Sequence, residues 1–123
     1  IKDVNSVSRA LELLAQVSET AYTEGTSCTL TIRGNQTPMY ENAANLDLCH
    51  RFSCVSQELG YGEFEPVFVG GASDAAYASQ RNIPVICASG PIVDYQHTLQ
   101  ERVLKRSMAE RAAIHAILIL DLE

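Results

Sequence analysis

Apolar residues recur at helical spacing early in the chain, where Val7, Ala10, Leu11, Leu14, Val17 and Ala21 share one face of a predicted helix. Asn5 or Ser6 stands in position to cap it, and Gly25 offers a left-handed stop. Over residues 27–33 the period shortens. Cys28, Leu30 and Ile32 alternate with Thr29, Thr31 and Arg33, which predicts a strand with one buried face. Residues 34–38 read as a turn, and a domain boundary falls there. A second helix is predicted from Asn42 or Asn45 to Leu59, burying Leu46, Cys49, Phe52 and Val55 and stopping at Gly60.

The second half changes rhythm. Residues 66–70 and 84–88 are short apolar runs, and 74–80 between them has helical character. Strand, helix and strand at that spacing predict a βαβ unit with a parallel sheet covered on both faces. Residues 89–102 carry no period and read as a loop. Ser107 and Glu110 form a capping box, opening a last helix that runs to about Leu120. That helix is apolar nearly all round, which predicts deep packing, with Glu110, Arg111 and His115 on its wetter side.

Composition narrows the partners more than the fold. A chain of 123 residues holds one ordinary core. No apolar run approaches the ~20 residues that a membrane span needs, and no secretory signal pattern opens the chain. A net charge of −6 argues against nucleic acid or an anionic membrane as partner, since binding phosphates calls for excess Lys and Arg. Cys28, Cys49, Cys54 and Cys87 contain no CxxC pair and sit in apolar segments. They read as small buried hydrophobes of a protein in the reducing cytoplasm.

Two short motifs carry candidate chemistry. The first is Gly70-Gly71-Ala72-Ser73-Asp74. It reads either as a tight strand-to-helix turn capped by Ser73 or Asp74, or as a turn whose free N–H groups receive a carboxylate or phosphate. A dinucleotide site is rejected, because the G-x-G-x-x-G spacing and the acidic residue beyond it are both missing. The second motif is His97-Thr98-Leu99-Gln100-Glu101, a histidine in a loop with a carboxylate four residues on. A surface histidine and a metal ligand with a supporting carboxylate both fit. His50 and His115 read as structural. Cys87 with His97 is rejected as a nucleophile and base, since nothing nearby makes the thiol electropositive.

The order of these motifs resembles the C-terminal part of the co-catalytic di-zinc amidohydrolases, a family that includes glutamate carboxypeptidase, acetylornithine deacetylase, succinyl-diaminopimelate desuccinylase and aminoacylase. In that family a helix and strand lead into a Gly-Gly-x-(Ser/Thr)-Asp turn and a helix. A second strand, a loop with a metal-binding His-(Ser/Thr)-x-x-Glu and a closing helix follow. The resemblance covers the whole chain, with residues 1–38 matching the end of the inserted lid, or dimerisation, domain and 39–123 the C-terminal part of the catalytic domain. It implies an α/β fold: a partial three-layer, zinc-exopeptidase-like catalytic domain with a short α+β lid remnant.

Carried over residue by residue, the resemblance implies that His97 binds one of two zinc ions and that Glu101 orients it. It also implies that Gly70, Gly71 and Ser73 hold a substrate carboxylate and that Asp74 caps the following helix. The chain departs from the family at Tyr95, where a small residue is usual two before the histidine, and at Thr37, where many members carry Arg before the proline. The remaining ligands and the general base belong to a His-x-Asp segment and a Glu-Glu pair, and neither pattern occurs here. The chain therefore reads as a C-terminal fragment of a cytoplasmic zinc hydrolase acting on an amide bond beside a free carboxylate, in a peptide or N-acyl amino acid. On its own it is expected to be inactive and to hold no zinc. Its expected partners are the missing N-terminal part, the substrate and, in a homodimer, a second copy. The rival reading is a non-catalytic α/β module that binds a carboxylate or dimerises through residues 27–33.

Overall fold

Two helices make the core because their buried stripes face each other. The computed structural model describes residues 4–20, 22–34 and 36–121. In chain order it contains α1 (Val4–Glu19), α2 (Ala43–Glu58), α3 (Ala75–Gln80), β1 (Val93–Asp94), β2 (Arg102–Val103) and α4 (Lys105–Leu120). It is a small mixed domain dominated by helices, with a two-stranded sheet. Phe52 and Val55 of α2 close on Ile114 and Leu118 of α4, and Leu48, Leu59, Phe64 and Ile86 pack around them. None of the described helices is long and apolar enough to cross a membrane.

Helix α2 follows its sequence signals closely. Asn42 is the N-cap, its side chain accepting the Asn45 N–H at 2.8 Å. At the other end Tyr61 N–H reaches the Ser56 carbonyl and Gly60 N–H reaches that of Gln57, both at 2.9 Å. With Gly60 at φ +76° this is a Schellman stop, which needs the left-handed backbone that glycine takes without strain. The buried stripe is not the one expected. Leu46 is exposed and Cys49 half-buried, whereas Asn45, Ser53 and Ser56 are buried with Phe52 and Val55. Helical spacing from Phe52 runs through positions 45, 48, 55, 56 and 59, and polar residues occupy part of that line.

The first helix departs from expectation at both ends. It begins at Val4, so Asn5 and Ser6 lie inside it rather than at its cap. It ends at Glu19, where Thr20 Oγ1 donates to the Gln16 carbonyl at 3.1 Å and Ser18 Oγ to that of Ala15 at 2.8 Å. Gly25 is left-handed as expected, at φ +79°, but it serves a separate turn closed by Thr26 N–H on the Thr23 carbonyl. Ala21, expected on the apolar face, lies outside the described residues.

No parallel sheet forms among the described residues. Residues 27–33 join no ladder and are exposed, with Leu30 and Ile32 open to solvent. Residues 66–70 and 84–88 are likewise unpaired. A strand exists only with a partner, and the second run spends its groups elsewhere. Val85 N–H goes to the Asn45 side chain at 2.9 Å, Pro84 has no N–H, and Ala88 turns left-handed at φ +59°. The sheet instead lies inside the segment expected to be a loop. There β1 and β2 pair antiparallel, Val93 opposite Val103 and Asp94 opposite Arg102.

Helix α4 begins earlier than its capping box suggests. Leu104 is the N-cap without a side-chain cap bond, and Ser107 lies inside the first turn. Its hydroxyl is used differently, donating to the Leu104 carbonyl at 2.6 Å and accepting Ile92 N–H at 2.9 Å. Only one face of α4 is packed. Ser107, Ile114 and Leu118 are buried, while Met108, Ile117, Ile119 and Leu120 are exposed, contrary to the deep packing expected. His115 is not on the wet side either; its ring meets Phe52 edge-on at 5.3 Å.

Candidate functional site

The Gly70–Ser73 turn leads into α3, and its chemistry centres on one hydroxyl. Ser73 Oγ accepts the Ala75 N–H at 3.2 Å and the Cys87 thiol at 3.0 Å. A hydroxyl oxygen has two lone pairs, and both are engaged, so the Ser73 proton is left to donate outward. Asp74 occupies the N-cap position, as expected, but its side chain makes no capping bond. Its backbone is already helical, at φ −63° and ψ −19°, and the residue before it does the capping. Gly70 and Gly71 are exposed, and a Cβ on either would meet nothing within 4 Å. Neither glycine N–H donates a backbone hydrogen bond among the described residues.

Helix α3 itself is held by its far end. Ile83 N–H reaches the Ala78 carbonyl and Asn82 N–H that of Ser79, both at 3.1 Å, and Asn82 sits at φ +56°. This is a second Schellman stop, with asparagine in the left-handed position. Ala76 and Ser79 face inward, Ser79 Oγ receiving the Asn45 amide at 3.1 Å.

His97 stands on the hairpin between β1 and β2. Thr98 builds the loop: its N–H and its hydroxyl both reach the Tyr95 carbonyl, at 3.2 and 2.7 Å. Its own oxygen accepts Gln100 N–H, and its carbonyl accepts Glu101 N–H, each at 3.2 Å. Tyr95 and His97 both take left-handed backbone, at φ +55° and +65°. For residues with a Cβ that conformation stores about 1–3 kcal/mol each, and such residues gather where a side chain must be aimed. Arg102 steadies the base of the hairpin, 3.3 Å from Asp94 Oδ2 and 5.0 Å over the Tyr95 ring. His97 and Leu99 project into solvent from the loop.

The segment between turn and hairpin is fastened along its length. Val85 is held by Asn45, Cys87 by Ser73, Ser89 by His115 Nε2 at 3.0 Å, and the Gly90 carbonyl by Arg111 Nε at 3.1 Å. His115 Nδ1 lies 2.7 Å from the Arg111 carbonyl, which can only accept, so that nitrogen carries the proton and Nε2 receives the Ser89 hydroxyl. The Arg111 guanidinium also lies 3.9 Å over the Phe64 ring. His115 and Arg111 therefore dock residues 89–90 onto α4.

The expected site residues divide into two groups. Ser73 is tied to Cys87, and both lie at the Gly-Gly turn; His97 and Glu101 share the hairpin, but no hydrogen bond joins the Glu101 carboxylate to the His97 ring among the described residues. One imidazole does not make a zinc site. Catalytic zinc takes at least three protein ligands, and among the described residues no group of three His, Cys, Asp or Glu side chains could hold a metal ion. The cysteines also differ from expectation. All four are free thiols, Cys28 and Cys87 exposed and Cys49 and Cys54 half-buried, because the strands meant to bury the first two are unpaired.

Sequence reading gave Asn45 and Ser107 only as candidate helix starts and missed their buried anchoring roles. Both lie on the buried stripe of their helix, and a polar residue at an apolar-stripe position was the available signal. Compared with known proteins, the chain matches no family model, no curated protein and no solved structure.

Proposed function

We propose that the chain is the C-terminal part of a two-zinc amidohydrolase or exopeptidase that cleaves an amide beside a free carboxylate. The observation that carries the reading is Ser73. With both lone pairs engaged by Ala75 and Cys87, its hydroxyl can offer only a proton outward, which is what a carboxylate oxygen accepts. The adjoining Gly70 and Gly71 are exposed and their N–H groups make no backbone hydrogen bond among the described residues, so they add donors of the same sense. Support for His97 as a ligand comes from its left-handed backbone and from a loop that holds the imidazole away from the body of the protein.

The chain's own residues would bind and orient. Ser73 and the glycine N–H groups would fix the substrate carboxylate, and the Cys87 thiol would keep the Ser73 hydroxyl turned towards it. His97 would contribute one neutral nitrogen to a metal shell otherwise built outside this chain. Two zinc ions, when bound, supply Lewis acidity and a water of lowered pKa. The zinc-exopeptidase-like sheet belongs to the same proposal. Val67, Phe68 and Val69 are 80%, 68% and 64% exposed in succession, the pattern of a strand meant to be covered on both faces. The rest of the enzyme would provide that cover.

The test is His97→Ala in the full-length parent. Metal content and turnover are expected to fall together, with the thermal transition little changed because the side chain is exposed. Ser73→Ala should instead weaken substrate binding by about 1.5–3 kcal/mol, the worth of a hydrogen bond to a charged group. Unchanged metal and turnover in His97→Ala would overturn the enzyme reading and favour a carboxylate-binding module.

A further inference from the structure

Helix α4 is apolar on the face turned away from the core as well as on the face turned towards it. Met108, Ile119 and Leu120 are 56%, 63% and 74% exposed. Ala109, Ala112 and Ala116 are exposed between them, so six uncharged residues share the side opposite Ser107, Ile114 and Leu118. A surface helix ordinarily turns charged and polar residues outward. Here the apolar face runs most of the length of a 16-residue helix.

The ends of the helix carry charge in the wrong order. Lys105 and Arg106 lie in the first turn, where the positive end of the macrodipole repels them, and no side chain caps that end. Arg106 has Glu110 at 3.9 Å, whereas Lys105 has no ion pair among the described residues. Asp121 adds a carboxylate at the negative end. One of its oxygens meets Arg51 at 2.9 Å, and the side chain is otherwise exposed.

We propose that α4 pairs antiparallel with α4 of a second copy of this chain, across a two-fold axis near Ala112. Antiparallel pairing sets the basic, uncapped first turn of each helix beside the acidic last turn of the other, so both mismatched ends are met at once. A parallel pair would place like charge beside like. The same face serves both copies, as a two-fold contact requires. Alanines at positions 109, 112 and 116 let the helix axes approach to about 8 Å. Met108 at one end of the face then lies opposite Ile119 and Leu120 at the other. The proposal does not rest on the hydrolase reading.

Sedimentation of the purified chain over a range of concentrations tests it, and a monomer–dimer equilibrium is expected. Ala112→Glu keeps a good helix former at an exposed position, so circular dichroism should be unchanged. Pairing would then bury two unpaired carboxylates, and the midpoint concentration should rise more than about tenfold. Tyr77→Glu, at an exposed apolar position on α3, should leave the midpoint where it is. Zero-length coupling of amines to carboxylates reads the orientation. Lys105 and Asp121 of one chain stand about 24 Å apart along α4, too far to be joined directly, so a coupled Lys105–Asp121 peptide reports pairing between copies. That peptide is expected from the dimer and not from Ala112→Glu where it is monomeric. A monomer at every concentration would overturn the pairing and give the face to a different polypeptide. A dimer that survives Ala112→Glu, or one that yields no Lys105–Asp121 coupling, would overturn it as well.

Discussion

The side chain of Asn45 accepts the backbone N–H of Val85 at 2.9 Å, joining α2 to a segment forty residues away. The same amide donates to the Tyr40 carbonyl at 3.2 Å and to Ser79 Oγ at 3.1 Å, so one buried residue holds three parts of the chain. Asn45→Ala leaves the Val85 N–H without its partner and removes one of the two donors from the Tyr40 carbonyl and one of the two from the Ser79 hydroxyl. Each unsatisfied buried group costs about 1–3 kcal/mol. A loss of at least about that size is expected in urea denaturation, together with faster amide exchange at Val85. Asn45→Asp keeps the acceptor for Val85 but loses both donors, so it should protect that amide without restoring full stability.

Ser56 predicts the opposite sign. It is fully buried, and its hydroxyl has no hydrogen-bond partner among the described residues. An unpaired buried hydroxyl costs about 1–3 kcal/mol by mutational measures. Ser56→Ala removes that cost and improves helix propensity at the same position. The substitution is expected to raise the denaturation midpoint with an unchanged slope. A fall in stability would mean that the hydroxyl is satisfied.

Helices α2 and α4 were legible because a helix satisfies its own backbone, so a local pattern suffices to specify it. Asn42 and Gly60 did what their positions suggested. The strands were not legible, because an apolar run such as Val67-Phe68-Val69 states a need for cover without saying where the cover lies. The hairpin was hidden for another reason. Its strands are two residues each, and its turn uses left-handed Tyr95 and His97 where a glycine would have announced it. Of the candidate site, the motifs were visible and their fastening was not. The thiol of Cys87 on Ser73 and the anchoring of Gly90 by Arg111 depend on contacts that no local period encodes.

Packing on α4 separates two isoleucines that the sequence treats alike. Ile114 is fully buried between α2 and α4, whereas Ile117 is 39% exposed. Ile114→Ala leaves a cavity and is expected to cost about 2–5 kcal/mol. Ile117→Ala should cost well under half of that. Paired denaturation curves of the two variants measure the difference.

The backbone of His97 yields the sharpest test of the hairpin. At φ +65° an alanine retains the Cβ clash with the peptide, and a glycine does not. Neither replacement keeps the imidazole, so the difference between them isolates the backbone. His97→Gly is expected to be more stable than His97→Ala by about 1 kcal/mol, even though glycine loses more entropy on folding. Thr98→Val should disturb the same loop differently, since it removes the hydroxyl that binds the Tyr95 carbonyl and accepts Gln100 N–H. Exchange at Gln100 should quicken while the global midpoint moves little, because the loop is exposed. Equal stability of the glycine and alanine variants would show that residue 97 is not left-handed in solution, and would remove one support for the proposal that it binds a metal.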